Sequence, residues 1–423
     1  MQSPSVRFDV MIPYGRQDIS QVDIDAVVEV LRSDFLTQGP MVPRFEEAVA
    51  QYCAAQHAVA VNSATSALHI ACLALDLGPG DWLWTSPNTF LASANVALYC
   101  GAKVDFVDID PRTYNMSLER LKEKLIQAEK EGCLPKIVMP VHFAGQPCDM
   151  QAIHRLSQQY SFKIIEDASH AIGASYCDVI ASGEAECQFS EAKESDLIRV
   201  GSCAQSQITV FSFHPVKIIT AGEGGMAMTN DDALANRLRR LRTHGITNDK
   251  ELMHRRPHNE IWNYQQIELG FNYRITDIQA ALGLSQMQRL DEFVSCRHKI
   301  AKRYEVELKA LPITTPHQAS GTYSSYHLYP IRINETDSGK MQLQVYDELW
   351  QNGIAANLHY IPVHRQPYYE GLGFKPGDFP EAEQFHREVI SLPMFPALKY
   401  EQQESIIKAL EVVLEIQKVE KPK

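Results

Sequence analysis

Short apolar runs alternate with amphipathic segments between residues 58 and 213. Runs such as "AVAVNS" (58–63) and "QITVFSF" (207–213) are rich in β-branched and aromatic residues, as buried strands are. The intervening segments carry apolar residues at helical spacing, and one of them is bounded by a capping serine, Ser117, and a terminal glycine, Gly132. Apolar strands separated by helices predict a mostly parallel sheet sandwiched between helices, which is an α/β fold.

The pattern changes after residue 275. A long helical pattern over about 276–310 is followed by the predicted strands "YHLYPIRI" and "AANLHYIP", with helices between and after them. We therefore predict a large domain, with an N-terminal segment, over 1–275, and a connecting helix with a smaller α+β domain over 276–423. Residues 178–198 interrupt the alternation with an acidic sequence rich in Ser, Ala and Gly, and we expect an exposed insertion there.

Composition narrows the class of protein. The chain has 423 residues and a formal net charge of −12, which argues against a nucleic acid or an anionic membrane as its partner. No apolar run approaches the roughly 20 residues that a membrane-spanning helix needs. The nine cysteines include no CxxC pair, and several lie in apolar helical segments, as reduced, buried thiols do. A cytoplasmic protein without structural disulfides is expected.

Small and polar residues follow the predicted strands. Right-handed crossovers place the carboxyl ends of parallel strands along one edge of the sheet, and ligands bind at that edge. We therefore expect a site made of the residues that come directly after each strand. These are Ser63 to Thr65, Asn88 to Phe90, His142 to Ala144, Asp167 with His170, and Ser212 to Lys217.

Lys217 and Asp167 are the most informative of these residues. Lys217 lies in "SFHPVKIITAGEGG" (212–225), directly after a buried strand, where an unpaired ammonium is costly. Either its side chain reaches the surface, or the fold keeps an amine of lowered pKa that can react with an aldehyde. Asp167 comes directly after the apolar strand in "FKIIEDASHAIG", where it either caps a helix or pairs with a protonated pyridine nitrogen.

Three further features fit the chemical alternative for both residues. Ser63 can cap a helix whose first N–H groups, on Ala64 and Thr65, would face an anion such as a phosphate. Ser212 can donate its hydroxyl to the same anion, and Phe90 is either a core aromatic or a ring that lies against a flat cofactor. Together with a reactive lysine and a ring-nitrogen carboxylate, these features indicate pyridoxal 5′-phosphate (PLP). No GxGxxG opens a βαβ unit and no GxxxxGK[ST] occurs, which argues against nicotinamide and P-loop enzymes.

The motifs resemble those of the DegT/StrS-type family of PLP-dependent nucleotide-sugar aminotransferases. The likeness covers nearly the whole chain, through "LTQGP", "NSATSALH", "SPNTFLASAN", "PVHFAGQPCDM", "IIEDASHAIG", "FSFHPVKIITAGEGG", "RTHGI" and "GFNYRITDIQAALGLSQMQRLDEF". It implies the PLP-dependent transferase fold type I, which is aspartate aminotransferase-like. "SFHPVKIIT…EGG", "GFNYR.TD" and "HYIPVH" are most similar to the branch of pseudaminic acid synthesis, whose product is UDP-4-amino-4,6-dideoxy-N-acetyl-β-L-altrosamine.

The resemblance also implies roles for individual residues. Lys217 would bind PLP covalently, Asp167 would pair with the ring nitrogen, and His170 would lie near the 3-oxygen of the ring. It further implies that Phe90 stacks on the ring and that Asn272 of the other subunit reaches the phosphate, which makes a homodimer the minimal active unit. The remaining expected contacts are Ala64, Thr65 and Ser212 to the phosphate, and Tyr14, Asp34, Phe35, Leu36, Thr37, His359, Tyr360, Ile361 and Pro362 to the sugar nucleotide.

The implied reaction moves an amino group from L-glutamate to C4 of a 4-keto-6-deoxy UDP-N-acetylhexosamine, and no metal ion is implied. Relatives that dehydrate a sugar carry histidine at the position of the reactive lysine, so Lys217 favours transamination. Four alternatives stay open on the sequence. They are amination of a different 4-keto-6-deoxy nucleotide sugar, a PLP-dependent sugar dehydratase, a PLP-binding regulator without turnover, and a nicotinamide-dependent sugar oxidoreductase.

Overall fold

The computed structural model describes residues 11–178, 196–255 and 263–414. In chain order, its strands are β1 (Ile12–Pro13), β2 (His57–Val61), β3 (Trp82–Thr85), β4 (Lys103–Phe106), β5 (Ile137–Met139), β6 (Lys163–Asp167), β7 (Ser175–Cys177), β8 (Leu197–Arg199), β9 (Ile208–Ser212), β10 (Gly225–Thr229), β11 (Ile246–Thr247), β12 (Gln265–Gln266), β13 (Ile313–Thr314), β14 (Thr322–Tyr323), β15 (Tyr329–Ile333), β16 (Ile354–Ala355) and β17 (Val389–Leu392).

Seven of these strands form the central sheet, in the order β2-β10-β9-β6-β5-β3-β4. Strand β10 runs antiparallel to both of its neighbours, β2 and β9. The other neighbouring pairs are parallel. The mostly parallel sheet predicted from the apolar runs is therefore confirmed, and the carboxyl ends of its parallel strands share one edge.

Helices connect and cover the strands. The predicted helix after Ser117 begins and ends as expected, because the Ser117 hydroxyl accepts the N–H of Arg120 and Gly132 adopts a left-handed φ of 68°. The helices are α1 (Gln21–Arg32), α2 (Met41–Cys53), α3 (Ala64–Ala74), α4 (Ala92–Tyr99), α5 (Leu118–Glu131), α6 (Met150–Tyr160), α7 (Asp232–Arg242), α8 (Asp277–Met287), α9 (Leu290–Glu307), α10 (Glu335–Ser338), α11 (Gln342–Gln351), α12 (Pro367–Glu370), α13 (Pro380–Glu388) and α14 (Tyr400–Val413).

Both faces of the central sheet are buried. Along β6, for example, Ile164 belongs to an apolar cluster that also contains residues of α2, α5, α6 and α9, whereas Ile165 belongs to a second cluster with residues of α3, α4 and α7. Successive side chains of a strand point to opposite faces. Asp167 therefore shares the α3 and α4 face with Ile165, while Glu166 lies on the other face.

A third apolar cluster contains buried residues from Ile300 to Leu414. It packs the antiparallel sheet β13-β15-β17 against α9, α11 and α14. These residues belong to the predicted smaller domain, and the division of the chain at residue 275 stays a prediction. Among the described residues, no helix is both long enough and apolar enough to span a membrane.

Two elements of the C-terminal part differ from the sequence expectation. The single helix predicted over 276–310 is two helices, α8 and α9, and the break lies where the Arg289 guanidinium binds the carboxylates of Asp18 and Asp23. The strand predicted for "AANLHYIP" is limited to β16, because His359 and Tyr360 both line the same cavity. Consecutive side chains of a regular strand could not do so.

The acidic insertion predicted at 178–198 lies mostly outside the described residues. The strands at its two ends, β7 and β8, pair antiparallel with each other. Strand β14 pairs with the other side of β7 and completes a small three-stranded sheet.

Candidate active site

A cavity of about 950 Å³ opens at the carboxyl edge of the central sheet. Its walls are formed by residues that follow β2, β6 and β9, by the segment before α4, and by the irregular segment 357–360. The structure thus brings together side chains that are far apart in the sequence. The predicted site residues that line it are Tyr14, Ala64, Thr65, Phe90, Asp167, His170, Ser212, Lys217, His359 and Tyr360.

Lys217 lies in the turn that follows β9, where its backbone N–H donates to the carbonyl oxygen of His214 at 2.9 Å. Its partly buried side chain lines the cavity. Desolvation lowers the pKa of the Lys217 amine to about 8, and the negative charge of Asp167 partly opposes this effect. Lys217 is therefore an amine of lowered pKa, as the chemical alternative required, and it can react with an aldehyde.

Asp167 is the last residue of β6 and is 5% exposed. Its Oδ2 accepts a hydrogen bond from the Ser93 hydroxyl at 2.6 Å, and its Oδ1 accepts the backbone N–H of Ser169 at 3.1 Å. In this described part of the chain no helix begins at residue 168, so the alternative in which Asp167 caps a helix is wrong. The carboxylate instead lines the cavity that also contains Lys217.

The start of α3 forms one end of the cavity. Ser63 caps this helix, because its hydroxyl accepts the backbone N–H of Ser66 at 3.1 Å. Ala64 and Thr65 belong to the first turn, whose N–H groups have no partner within the helix, and both line the cavity. Such a helix start attracts anions through its N–H groups and its dipole.

Gly225 allows the backbone to come close beneath this helix start. It pairs with both Val61 and Ser212, so β10 holds the ends of β2 and β9 side by side. A Cβ on Gly225 would lie 2.4 Å from the carbonyl carbon of Ser63 and 2.5 Å from the backbone nitrogen of Ala64. Only glycine fits there. Ser212, which pairs with Gly225, also lines the cavity, and its hydroxyl is a further donor for an anion at this helix start.

Aromatic side chains and histidines form the wall beside Lys217. The Tyr360 hydroxyl lies 3.3 Å from Nε2 of His170, and the rings of His170 and His327 are 4.3 Å apart. Burial, with a contribution from the Lys217 charge, lowers the pKa of both of these histidines and lowers the pKa of His359 to about 3. All three imidazoles are therefore neutral at pH 7.

Phe90 is 60% exposed and lines the cavity, with its ring centroid 6.4 Å from that of Tyr360. An aromatic face of this kind can stack on a flat ligand. The core-aromatic alternative for Phe90 is therefore wrong.

Other predicted residues do not line the cavity. His142 is fully buried below it, where Nε2 bonds Glu166 and Nδ1 accepts the backbone N–H of Cys148. Asn272 is exposed and forms a bridge with Thr243. The segment 34–37 lies at the start of α8, where Leu36 accepts the N–H of Asp277, and Ile361 and Pro362 also lie outside the cavity lining. The roles expected for Asn272 and for these sugar-nucleotide contacts stay predictions.

Several cavity residues were missed by the sequence reasoning. His327 lies just before β15, in a segment that the sequence assigns to the smaller domain, and Asn357 and Gln279 also line the cavity. No local motif marks His327, because only the packing of β15 beside the large sheet brings it there. Ser93 carried a usable signal: it follows Thr89 by four residues, which places both on one side of a helical turn.

A model of the DegT/DnrJ/EryC1/StrS aminotransferase family matches residues 17–411. The chain belongs to this family. The match extends from the N-terminal segment through the predicted large domain and into α14, so it includes every cavity-lining residue except Tyr14. The aminotransferase family and the fold expected from the sequence are thereby confirmed.

Relatives of this aminotransferase carry names that refer to different sugar nucleotides. GDP-perosamine synthase of Caulobacter vibrioides is 36% identical over 393 residues, which is 92% of this chain and 95% of that protein. UDP-4-amino-4,6-dideoxy-N-acetyl-β-L-altrosamine transaminase of Campylobacter jejuni is 35% identical over 384 residues, which is 90% of this chain and 92% of that protein. Both are sugar-nucleotide enzymes, but one name contains GDP and the other contains UDP.

Solved structures confirm the fold and the cofactor of the aminotransferase. Helicobacter pylori PseC, described as an aminotransferase involved in the biosynthesis of pseudaminic acid, superposes with a TM-score of 0.82 at 30% identity, over 96% of this chain and 99% of that chain. The PLP form of the sugar aminotransferase Spr1654 of Streptococcus pneumoniae has a TM-score of 0.81 at 28% identity, over the same shares of the two chains. The protein is a PLP-dependent nucleotide-sugar aminotransferase of fold type I.

The cavity fits this cofactor. The start of α3, with Ala64 and Thr65 in the cavity wall, can receive a phosphate, and Lys217 offers an amine of lowered pKa. Within the described residues Nδ1 of His170 is buried without a hydrogen-bond partner, so a polar group of a ligand could pair with it. PLP carries a phosphate, an aldehyde and a polar ring, which correspond to these three features.

Proposed function

We propose that the protein transfers the amino group of L-glutamate to C4 of a 4-keto-6-deoxy UDP-N-acetylhexosamine. The product proposed is UDP-4-amino-4,6-dideoxy-N-acetyl-β-L-altrosamine, an intermediate of pseudaminic acid synthesis. The observation that carries the reaction type is that Lys217, Asp167 and the start of α3 line one cavity. A histidine at the position of Lys217 would have favoured dehydration, so the lysine supports transamination.

Lys217 has two tasks in this proposal, covalent attachment of PLP and proton transfer. With a pKa of about 8, roughly one amine in ten is neutral at pH 7, which is enough for a group that must both accept and return a proton. PLP supplies an electron sink when it is bound. Asp167 would stabilise the positive charge of the ring nitrogen, and a neutral His170 would hydrogen-bond the 3-oxygen.

The remaining contacts of the cofactor follow from the cavity. Ala64, Thr65 and Ser212 would hold the phosphate, and Phe90 would stack on the ring. Because Asn272 is exposed and outside the cavity of its own chain, we propose that it completes the phosphate site of the partner subunit in a homodimer. The cytoplasmic location expected from the cysteines is part of the same proposal.

A UDP sugar is favoured by the "HYIPVH" and "GFNYR.TD" motifs and by the similarity to PseC. A GDP sugar is the second candidate, because GDP-perosamine synthase is equally similar in sequence. We propose that Tyr14, His359 and Tyr360, which line the cavity, contact the sugar, and that segment 34–37 with Ile361 and Pro362 contacts the nucleotide.

The substrate is tested with purified enzyme, glutamate and a panel of UDP- and GDP-linked 4-keto-6-deoxy sugars, with each product identified by mass spectrometry and NMR. We expect the amino group at C4 of a UDP-N-acetylhexosamine. Turnover of the GDP-linked sugar alone would contradict the substrate proposal and leave the transamination intact. Loss of water from the sugar, without amination, would contradict the reaction type.

A further inference from the structure

Two hydroxyl groups lie behind Asp167 in a chain of short hydrogen bonds. Oγ of Ser93 is 2.6 Å from Oδ2 of Asp167, and Oγ1 of Thr89 is 2.8 Å from Oγ of Ser93. All three residues are almost completely buried, with exposures of 3% for Thr89, 0% for Ser93 and 5% for Asp167. Ser93 is fully buried and outside the cavity lining, so bulk water cannot replace its hydroxyl, whereas Thr89 also lines the cavity.

The direction of these hydrogen bonds follows from the chemistry of the groups. An ionised carboxylate only accepts, so the single proton of Ser93 points to Asp167. The oxygen of Ser93 is then free to accept, and the Thr89 hydroxyl donates to it. The result is a directed relay from Thr89 through Ser93 to the carboxylate, in which each bond polarises the next.

The backbone around this relay is fixed. The N–H of Asp167 donates to the carbonyl of Pro140 at 2.9 Å, and its carbonyl accepts the N–H of His142 at 3.1 Å. Oδ1 is held separately by the N–H of Ser169. The relay therefore acts on Oδ2 of a carboxylate that cannot turn away from the cavity without breaking several bonds.

The relay and the stacking aromatic come from one short segment. Thr89 and Phe90 lie in the turn that leads into α4 and both line the cavity, and Ser93 is the second residue of that helix. A ring stacked on Phe90 and the carboxylate that faces its nitrogen would thus be located by the same short segment.

We propose that Ser93 and Thr89 are positioning residues that fix Oδ2 of the Asp167 carboxylate and aim it at the ring nitrogen of the bound cofactor. This inference rests on the proposed function. Its chemical consequence is electrostatic: a carboxylate held against the ring nitrogen would favour the protonated ring, and that positive charge would lower the proton affinity of the amine nitrogen of Lys217 when it holds the cofactor. Lys217 and Tyr360 are the titratable groups that face Asp167 from the other cavity segments.

The test compares Ser93→Ala and Thr89→Val with the wild-type holoenzyme. The readouts are the pH midpoint of the absorbance change of the bound cofactor, the dissociation constant for PLP, and kcat and KM. For Ser93→Ala we expect the midpoint to rise by about one pH unit and kcat to fall about tenfold, while KM stays within about twofold. Thr89→Val keeps the side-chain shape. It should also raise the midpoint and lower kcat, each by less than Ser93→Ala does.

Two variants frame the result. Asp167→Asn gives the upper limit of the midpoint shift. Thr85→Val is the matched control, because it removes a buried hydroxyl that bonds the carbonyl of Met139 at 2.8 Å on an adjacent strand, and it should leave the midpoint in place. Ser93→Thr keeps the hydroxyl and should restore the wild-type midpoint.

The outcomes separate this inference from the proposed function. An unchanged midpoint in both Ser93→Ala and Thr89→Val, with Asp167→Asn shifted, overturns the relay and leaves the enzyme assignment in place. A midpoint shift of equal size in Thr85→Val overturns it also, because the effect would then be a general loss of packing. A wild-type protein that binds no PLP contradicts the proposed function itself.

Discussion

Asp167 and Lys217 illustrate how much the surroundings of a residue decide about its chemistry. The sequence allowed a helix cap at Asp167 and a surface amine at Lys217, and residue identity alone could not choose. In the structure, Asp167 accepts hydrogen bonds from Ser93 and Ser169 at the edge of the cavity, and desolvation lowers the pKa of Lys217. These surroundings favour the chemical alternative for both residues. An amine of lowered pKa and a buried carboxylate in one cavity are typical of a catalytic site.

The lowered pKa of Lys217 predicts how fast the cofactor-free enzyme captures PLP at different pH values. Below pH 8 the amine is mostly protonated and unreactive, and above it the amine is mostly neutral. The capture rate, measured by stopped-flow absorbance from pH 6 to pH 10, should rise by about tenfold per unit at first and level off near pH 8. A rate that is still rising steeply at pH 10 would indicate an ordinary lysine and contradict the account.

At the scale of elements, the junction of β10 with the start of α3 is the feature that fits the phosphate. Strand β10 is antiparallel within a parallel sheet, and its first residue, Gly225, lies between Val61 and Ser212. The close approach of this backbone to Ser63 and Ala64 depends on the missing side chain. The helix was predicted and β10 was not, and their contact is a property of the sheet order.

Gly225→Ala should therefore displace the start of α3. The added methyl would lie 2.4 Å from the carbonyl carbon of Ser63, so we expect the affinity for PLP to fall by at least about tenfold and the protein to lose about 1–3 kcal/mol of stability. The affinity is measured by equilibrium binding and the stability by thermal unfolding. Gly78→Ala is the matched control, since its methyl would meet no atom within 4 Å. Equal effects of the two substitutions would refute the role of this junction.

Prediction from sequence succeeded where chemistry follows a local pattern. Apolar runs predicted the strands, and the residues directly after them, such as Ala64, Asp167 and Lys217, line the cavity. It failed where position depends on packing between distant segments. His327 reaches the cavity from the C-terminal part of the chain. His359 and Tyr360 lie outside any regular strand, and both line the cavity.

At the scale of the whole molecule, the proposed homodimer accounts for a predicted site residue that its own chain leaves exposed. Asn272 lies outside the cavity that contains Lys217. If each site takes Lys217 from one subunit and Asn272 from the other, the two residues belong to different chains in every site. The protein would then have no complete site as a monomer.

Hybrid dimers test this arrangement. Lys217→Ala and Asn272→Ala should each lower activity strongly, and unfolding and refolding the two variants together should restore part of it. In a hybrid with shared sites, one site carries both defects and the other carries none. If the mixture stays as inactive as its parents while size-exclusion chromatography and differently tagged chains show that hybrids have formed, both residues act within one chain and the proposal is wrong.

The central claim is that the side-chain nitrogen of Lys217 holds the cofactor. The most direct measurement is borohydride reduction of the holoenzyme, followed by proteolysis and peptide mass spectrometry. We predict that the reduced cofactor is found on the peptide that contains Lys217, and that Lys217→Ala yields no labelled peptide and no amino sugar. A label on a different lysine, or amino-sugar formation by Lys217→Ala at the wild-type rate, would contradict the account.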